Sequence, residues 1–393
     1  MITIQHVKDS TLDTKVISDL SFNNDTLVYN VLDSEMFRYV EPIDTSVSFG
    51  EWKENIPLYD FEHRGGEMVP IRTMTDLSDS YNLFNTVAIF SSGLGSKFMF
   101  DTNVYWQKKI GSPNFEVGLS IAVDSISNVF VTGYQIDDPD PSVGNYDMIV
   151  IKLDTDGNIL WQKKIGGAGT ESSDAIAVDA IGNVYICGLQ YSDSYGLSDY
   201  GIVKLDTNGN MVWQKKIGGA AGEAARGIIV DVNGNVYING EQSSDSFGNT
   251  DYGIIKLDTD GNMIWQRTIG GAGNDAGQCI SVDSNGNVYA AGYQNSHSFG
   301  NYDYGIMKLS SDGNLLWQRA IGGAEQDSSF GIVNDSVNNV YVTGYQLSDS
   351  YGGYDFGVVK LDTNGNMVWQ KKIGGLETEA GRGLAVDSSD NIY

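Results

Sequence analysis

Proline, cysteine and histidine are scarce in this sequence: of 393 residues, 6 are proline, 2 cysteine and 3 histidine. The two thiols, Cys187 and Cys279, fall in different repeats, which argues against a disulfide scaffold; each reads as a small buried apolar residue. Three imidazoles, His6, His63 and His297, leave little for acid–base or metal chemistry. So little proline argues against a disordered linker. Basic residues are also short, 24 Lys and Arg against 51 Asp and Glu, for a formal charge of −27. Such a surface repels a phosphate backbone and an anionic membrane, so nucleic acid is not expected as a partner. No apolar run approaches 18 residues, so no membrane insertion is expected. The opening Met1 to Asp13 has neither a basic region nor an apolar core, so no signal peptide is read and synthesis in the cytoplasm is expected.

What the chain has in plenty is glycine, 48 residues, and one recurring phrase. "LDTDGNILWQKKIGG" at Leu153 returns, lightly edited, at Leu205, Leu257, Leu309 and Leu361, with a worn copy at Phe98. Its tryptophans, Trp106, Trp161, Trp213, Trp265, Trp317 and Trp369, are spaced 55 and then four times 52 residues apart. A fixed period near 50 marks a repeat architecture. Each unit reads as four short runs rich in Val, Ile, Tyr and Trp, cut by Asn-Gly and Asp-Gly pairs, which are strand and hairpin signals. No helical spacing is sustained. The expected fold is therefore all-β: a β-propeller of four-stranded antiparallel blades, about six of them, preceded by a small β-rich N-terminal domain. The boundary is placed at 86/87.

Two packing roles follow. A small residue recurs in the first strand (Ser120, Ala175, Gly227, Cys279, Gly331, Gly383), as convergence on a narrow axis requires. The six tryptophans are expected at the blade seam, filling the gap where outer strands splay. Asp154, Asp156 and Asn158 have the one-three-five spacing of a calcium loop. The twelfth position, however, is Ile165 instead of a bidentate Glu, so a structural turn is the favoured reading and the metal site a weak alternative.

Turns between first and second and between third and fourth strands share one face and are monotonous. The second-to-third and fourth-to-first loops share the other and vary, which is how loops carry recognition on a fixed frame. An acid and an aromatic recur two apart: Asp193 with Tyr195, Asp245 with Phe247, Asp349 with Tyr351, and His297 with Phe299. An acid beside an aromatic platform suits a sugar. The blander reading is that Ser-Asp-Ser caps a turn and the aromatic packs between blades. No nucleophile–base motif or phosphate-binding glycine loop is present, so no catalytic residue and no cofactor are assigned.

"DAIGNVYICGLQ", "DVNGNVYINGEQ", "DSNGNVYAAGYQ" and "DSVNNVYVTGYQ" resemble the units of a bacterial and phage β-propeller repeat family, from Glu116 to the C-terminus. The Gly-Asn-x-x-Trp ending is similar to the tryptophan-docking motif of quinoprotein propellers, without features that point to a quinone. Five full units run from about 117 to 376. A sixth opens at Glu377 and stops inside its second strand. Lys97, Asp101, Asn103 and Trp106, matching Lys152, Asp156, Asn158 and Trp161, offer the other half of a sixth blade; truncation of a longer product is the alternative.

Leu20 to Pro42 reads as a hairpin. It resembles a short module of phage fibre and virion proteins through Leu27, Tyr29, Asn30, Phe37 and Pro42. The two resemblances together imply a non-enzymatic phage virion protein: other virion proteins bound through residues 1–86, a recognition face on the propeller directed at host surface glycans, and self-association as a homo-oligomer left open. The alternatives are a bacterial cell-surface adhesion propeller and a polysaccharide-degrading enzyme on the same scaffold.

Overall fold

The computed structural model describes the backbone of ten strands between Thr3 and Phe100, then Ile110, 116–136 and 146–393 apart from His297, Asp349 and Tyr351. Two compact units divide the chain, Met1–Lys109 and Ile110–Tyr393.

The N-terminal unit holds two five-stranded sheets. One orders Thr11–Val16, Thr3–Lys8, Met36–Val40, Lys97–Phe100 and Val87–Phe90. In the other, Ser21–Asn23, Thr26–Tyr29, Trp52–Glu54, Phe61–Arg64 and Glu67–Pro70 follow in order. The hairpin expected between Thr26–Tyr29 and Met36–Val40 does not form. The first of these pairs parallel with Trp52–Glu54, the second antiparallel with Thr3–Lys8. The strand character was readable, but the stretch between them has no Asn-Gly or Asp-Gly pair to lock a hairpin.

The second unit is all β. Five four-stranded antiparallel sheets occupy 116–165, 171–217, 223–269, 275–321 and 327–373, with strands neighbouring in sequence order. These are the blades of a propeller, and among the described residues the complete blades number five, not about six. At the tail, Val386 bridges Ile392, and Asp387 accepts from the Ser389 and Asn391 amides, so the opening turn of a further unit is built. At the head, the copy around Phe98 has Met99 where the others have the turn aspartate and Thr102 where they have the turn glycine. In the structure Lys97–Phe100 pairs with Val87–Phe90 and Met36–Val40, within the N-terminal unit.

The third blade shows what each repeated residue does. Asp231 opens the turn between Glu223–Val230 and Val236–Gln242. Its Oδ1 accepts the Asn233 and Asn235 amides, and its Oδ2 accepts Asn235 Nδ2 and the Tyr237 hydroxyl. Gly234 takes φ +79°, which glycine adopts without a Cβ penalty. Asp258 caps the turn between Asp251–Leu257 and Met263–Ile269 in the same manner. Tyr252 crosses the seam and donates its hydroxyl to the Gly305 carbonyl at 2.9 Å. The glycine after each such tyrosine makes the room: a Cβ at Gly253 would stand 2.1 Å from the Tyr200 hydroxyl.

Tryptophan closes each seam. Trp213 Nε1 donates to the Thr259 carbonyl in the next blade's turn, and Lys204 Nζ donates to that oxygen as well, at 3.0 Å. The next glycine lies on the indole; a Cβ at Gly261 would be 3.0 Å from Trp213 Cδ2. Trp161, Trp265 and Trp317 repeat this with Thr207, Ser311 and Thr363. Trp369 is 36% exposed and donates to no turn among the described residues; Trp106 lies outside them. The small first-strand residues let inner strands touch: a Cβ at Gly227 would meet Cys279 Cα at 3.3 Å.

Candidate recognition face

The monotonous face is committed to turns. Asp154, the first residue of the calcium-like spacing, accepts the Asp156 and Asn158 amides on Oδ1 and Asn158 Nδ2 on Oδ2. In the one copy with serine, Ser310 Oγ accepts the Asn314 amide alone. Sharing its carboxylate among three donors is what the repeat asks of this aspartate.

The variable face is built from two carboxylates per blade. From the second blade on, the third strand begins with a buried Asp: Asp199, Asp251, Asp303 and Asp355. In Asp199, Asp251 and Asp303 the carboxylate also holds the loop tip: its Oδ2 accepts the amide of the residue four before it, Tyr195, Phe247 or Phe299, at 2.7, 2.5 and 2.7 Å. From the second blade on, the inner strand begins with a second buried acid, Glu171, Glu223, Asp275 or Asp327. Glu223 accepts Gly219 N on one oxygen and Ser244 N on the other, tying the fourth-to-first loop to its own blade's second-to-third loop. Asp275 does the same with Gly271, Asn295 and Ser296. These inner-strand acids were missed in the sequence. The signal was there, an acid four residues after the second glycine of every "IGG".

The two carboxylates approach each other across a glycine. A Cβ at Gly322 would lie 2.2 Å from Asp303 Oδ1 and 2.3 Å from Asp327 Oδ2. Burial, aided by the facing acid, raises the carboxyl pKa of Asp199, Asp251 and Asp303. At the second blade Lys216 offsets part of this.

On this frame the loop tips stand out into solvent. Tyr195, Phe247 and Phe299 are 68%, 70% and 70% exposed, so these rings are not packed between blades. Lys216 Nζ lies 4.4 Å from the Tyr195 ring centroid, a cation–π contact. Asp193 and Asp245 are exposed and left-handed, φ 54° and 58°, and their carboxylates make no hydrogen bond among the described residues. The turn is capped instead by the neighbouring serine: Ser194 Oγ bonds the Gly196 and Leu197 carbonyls, Ser246 Oγ those of Ser243 and Gly248. His297, Asp349 and Tyr351 lie outside the described residues. The structure therefore places three aromatics and two acids at equivalent tips of successive blades.

Known proteins resemble the chain at low identity. The mimivirus of Acanthamoeba polyphaga has an "Uncharacterized WD repeat-containing protein L264" that is 22% identical over 428 residues, covering 74% of this chain and 31% of that one. The "Regulatory protein FlaEY" of Caulobacter vibrioides is 25% identical over 206 residues, 46% of this chain and 21% of its own. The chain thus spans less than a third of the length of these curated relatives. Among solved structures, a protein of unknown function from Dyadobacter fermentans superposes with a TM-score of 0.44 at 12% identity, over 69% of this chain and 85% of that one. A family model described as "Outer membrane protein assembly factor BamB" matches residues 99–298, just over half of the sequence, and the chain belongs to that propeller family.

Proposed function

We propose that this protein is a non-enzymatic recognition propeller, a structural part of a phage virion, anchored by residues 1–86 and displaying its variable loop face to host surface glycans. One observation carries the reading: Tyr195, Phe247 and Phe299 project at equivalent tips of successive blades, each held by a backbone bond to a buried aspartate, two of them two residues from an unengaged carboxylate. Exposed aromatic faces next to carboxylates match the C–H faces and hydroxyls of sugars. That one relative is a viral protein fits a viral origin. The family description favours a second reading, an adhesion or scaffold propeller of a bacterial envelope.

Two measurements test this. Antibody labelling of purified particles is expected to mark a defined position on the virion; labelling of uninfected bacterial envelopes alone supports the second reading. Incubation with host polysaccharides is expected to leave chain length unchanged, and shortened chains overturn the non-enzymatic assignment.

A further inference from the structure

Each of the five described inner strands carries a β-bulge, and the bulged residue changes from blade to blade. Register shifts fall between Gly118 and Ser120, Ser173 and Ala175, Ala225 and Gly227, Gly277 and Cys279, and Ser329 and Gly331. The residues within the bulges are Leu119, Asp174, Arg226, Gln278 and Phe330; the same place in the last, partial unit is Arg382. Their flanks are all small, yet the bulged residue changes chemical type from blade to blade. A bulge re-aims one side chain out of the sheet, and proteins use it beside sites. Packing alone gives no reason for one position to vary so widely inside so uniform a repeat.

Four of the re-aimed side chains, Asp174, Arg226, Phe330 and Arg382, engage neighbours along the inner and second strands of successive blades. Arg226 bonds Asp174 of the preceding blade at 2.6 Å and Glu241 of its own second strand at 3.0 Å. Burial, Glu241 and Tyr302 push the Tyr293 hydroxyl up to about 12. Tyr293 meets Tyr302 edge-on at 5.0 Å, Tyr345 meets Tyr354 at 4.4 Å, and Phe330 meets Tyr345 at 5.6 Å. The Arg382 guanidinium lies 4.4 Å over the Phe330 ring and makes no ion pair among the described residues. These aromatic rings, Arg226 and Glu241 are half-buried and Arg382 is exposed, so these side chains face solvent. Glu241 Oε2 has no partner among the described residues.

We propose that the band of side chains from Glu241 through Tyr293 and Tyr345 to Arg382 is the binding subsite for a neutral oligosaccharide. The inference rests on the glycan-recognition reading above and moves its main contact from the loop tips to the inner strands. Tyr293 and Tyr345 supply stacking surfaces for sugar C–H faces. Glu241 Oε2 accepts a hydroxyl hydrogen, and Arg382 donates to a hydroxyl oxygen. A chain carrying −27 disfavours a polyanionic ligand, which selects the neutral class.

The test uses the full chain and calorimetric titration with maltohexaose, cellohexaose and chitohexaose. At least one is expected to bind, with Tyr345→Ala weakening it at least ten-fold and Tyr345→Phe retaining it. Arg382→Ala, at an exposed side chain, is expected to weaken binding without moving the melting temperature, which separates a binding role from a folding role. If Tyr195→Ala and Phe247→Ala abolish binding while Tyr345→Ala and Arg382→Ala leave it intact, this inference falls and the loop-tip reading stands. If none of the three sugars binds the wild-type chain, both fall.

Discussion

Trp265 Nε1 and Ser311 O are 3.0 Å apart, and the bond joins one blade's outer strand to the next blade's turn, 46 residues on. Three other blades make the same bond at the same offset. Trp265 is 7% exposed and its indole carries Gly313 on one face. Trp265→Ala therefore removes a buried aromatic, a hydrogen bond and the seat of the next turn. It is expected to cost about 3–5 kcal/mol in urea unfolding. Trp369→Ala, at an exposed indole with no following turn among the described residues, is expected to cost under about 1 kcal/mol. Equal losses would mean that docking on the next blade contributes nothing.

The turn glycines allow opposite predictions at equivalent positions. Gly261 sits at φ +78° against the Trp213 ring, so Gly261→Ala incurs left-handed strain of about 1–2 kcal/mol and pushes on the indole. Ser127 occupies the corresponding conformation of a first-to-second turn, φ 65°, with a Cβ. Ser127→Gly relieves that strain at some entropic cost, and a gain of about 0.5–1 kcal/mol is expected. Chemical denaturation of the two variants checks both signs.

Much of this frame was legible in the sequence because a period of 52 residues repeats the same constraint five times. The seam tryptophans, the Asp-x-x-Gly-Asn turns and the four strands per unit all show in spacing and composition. Less visible were the acids at the inner-strand starts. Asp275 accepts from Gly271 in one loop and from Asn295, 24 residues further on, in another, and only the fold brings them together. The bulge residues were hidden for a related reason: a bulge is a mismatch in register between two strands, which neither strand reveals alone. At the loop tips the acid–aromatic pairs were seen, but exposed rings and rings packed between blades look identical in sequence.

Acidity should act in two directions. Asp199, Asp251 and Asp303 have raised folded pKa values, so they bind protons more tightly when folded. Their contribution to stability is present below the unfolded value of about 4 and is lost as pH rises through the folded value. The turn caps Asp206, Asp258 and Asp362 are depressed, first by the Asn210, Asn262 and Asn366 side chains. Their contribution is present above about 4 and lost as pH falls through the depressed values. The melting temperature is expected to rise as pH falls from 7 towards about 4 and to drop below that. Asp303→Asn, which keeps an acceptor for the Phe299 amide, should flatten the rise. An unchanged profile in that variant would mean the buried pair is not its source.

Ser310 offers a repair. Its four equivalents are aspartates, and each accepts three hydrogen bonds where Ser310 accepts one. Ser310→Asp restores the two missing bonds, and with net values of about 0.5–1.5 kcal/mol per bond, partly offset by another negative charge on an acidic surface, a gain of about 1 kcal/mol is expected. Calcium distinguishes the two readings of the Asp-x-Asp/Asn-x-Asn spacing. If the aspartate acts as a cap, the gain is the same in EDTA and in millimolar calcium, since its oxygens are already engaged by Asp312, Asn314 and the backbone. A gain that appears only with calcium would make the turn a cation loop and would reassign Asp154, Asp156 and Asn158 as ligands.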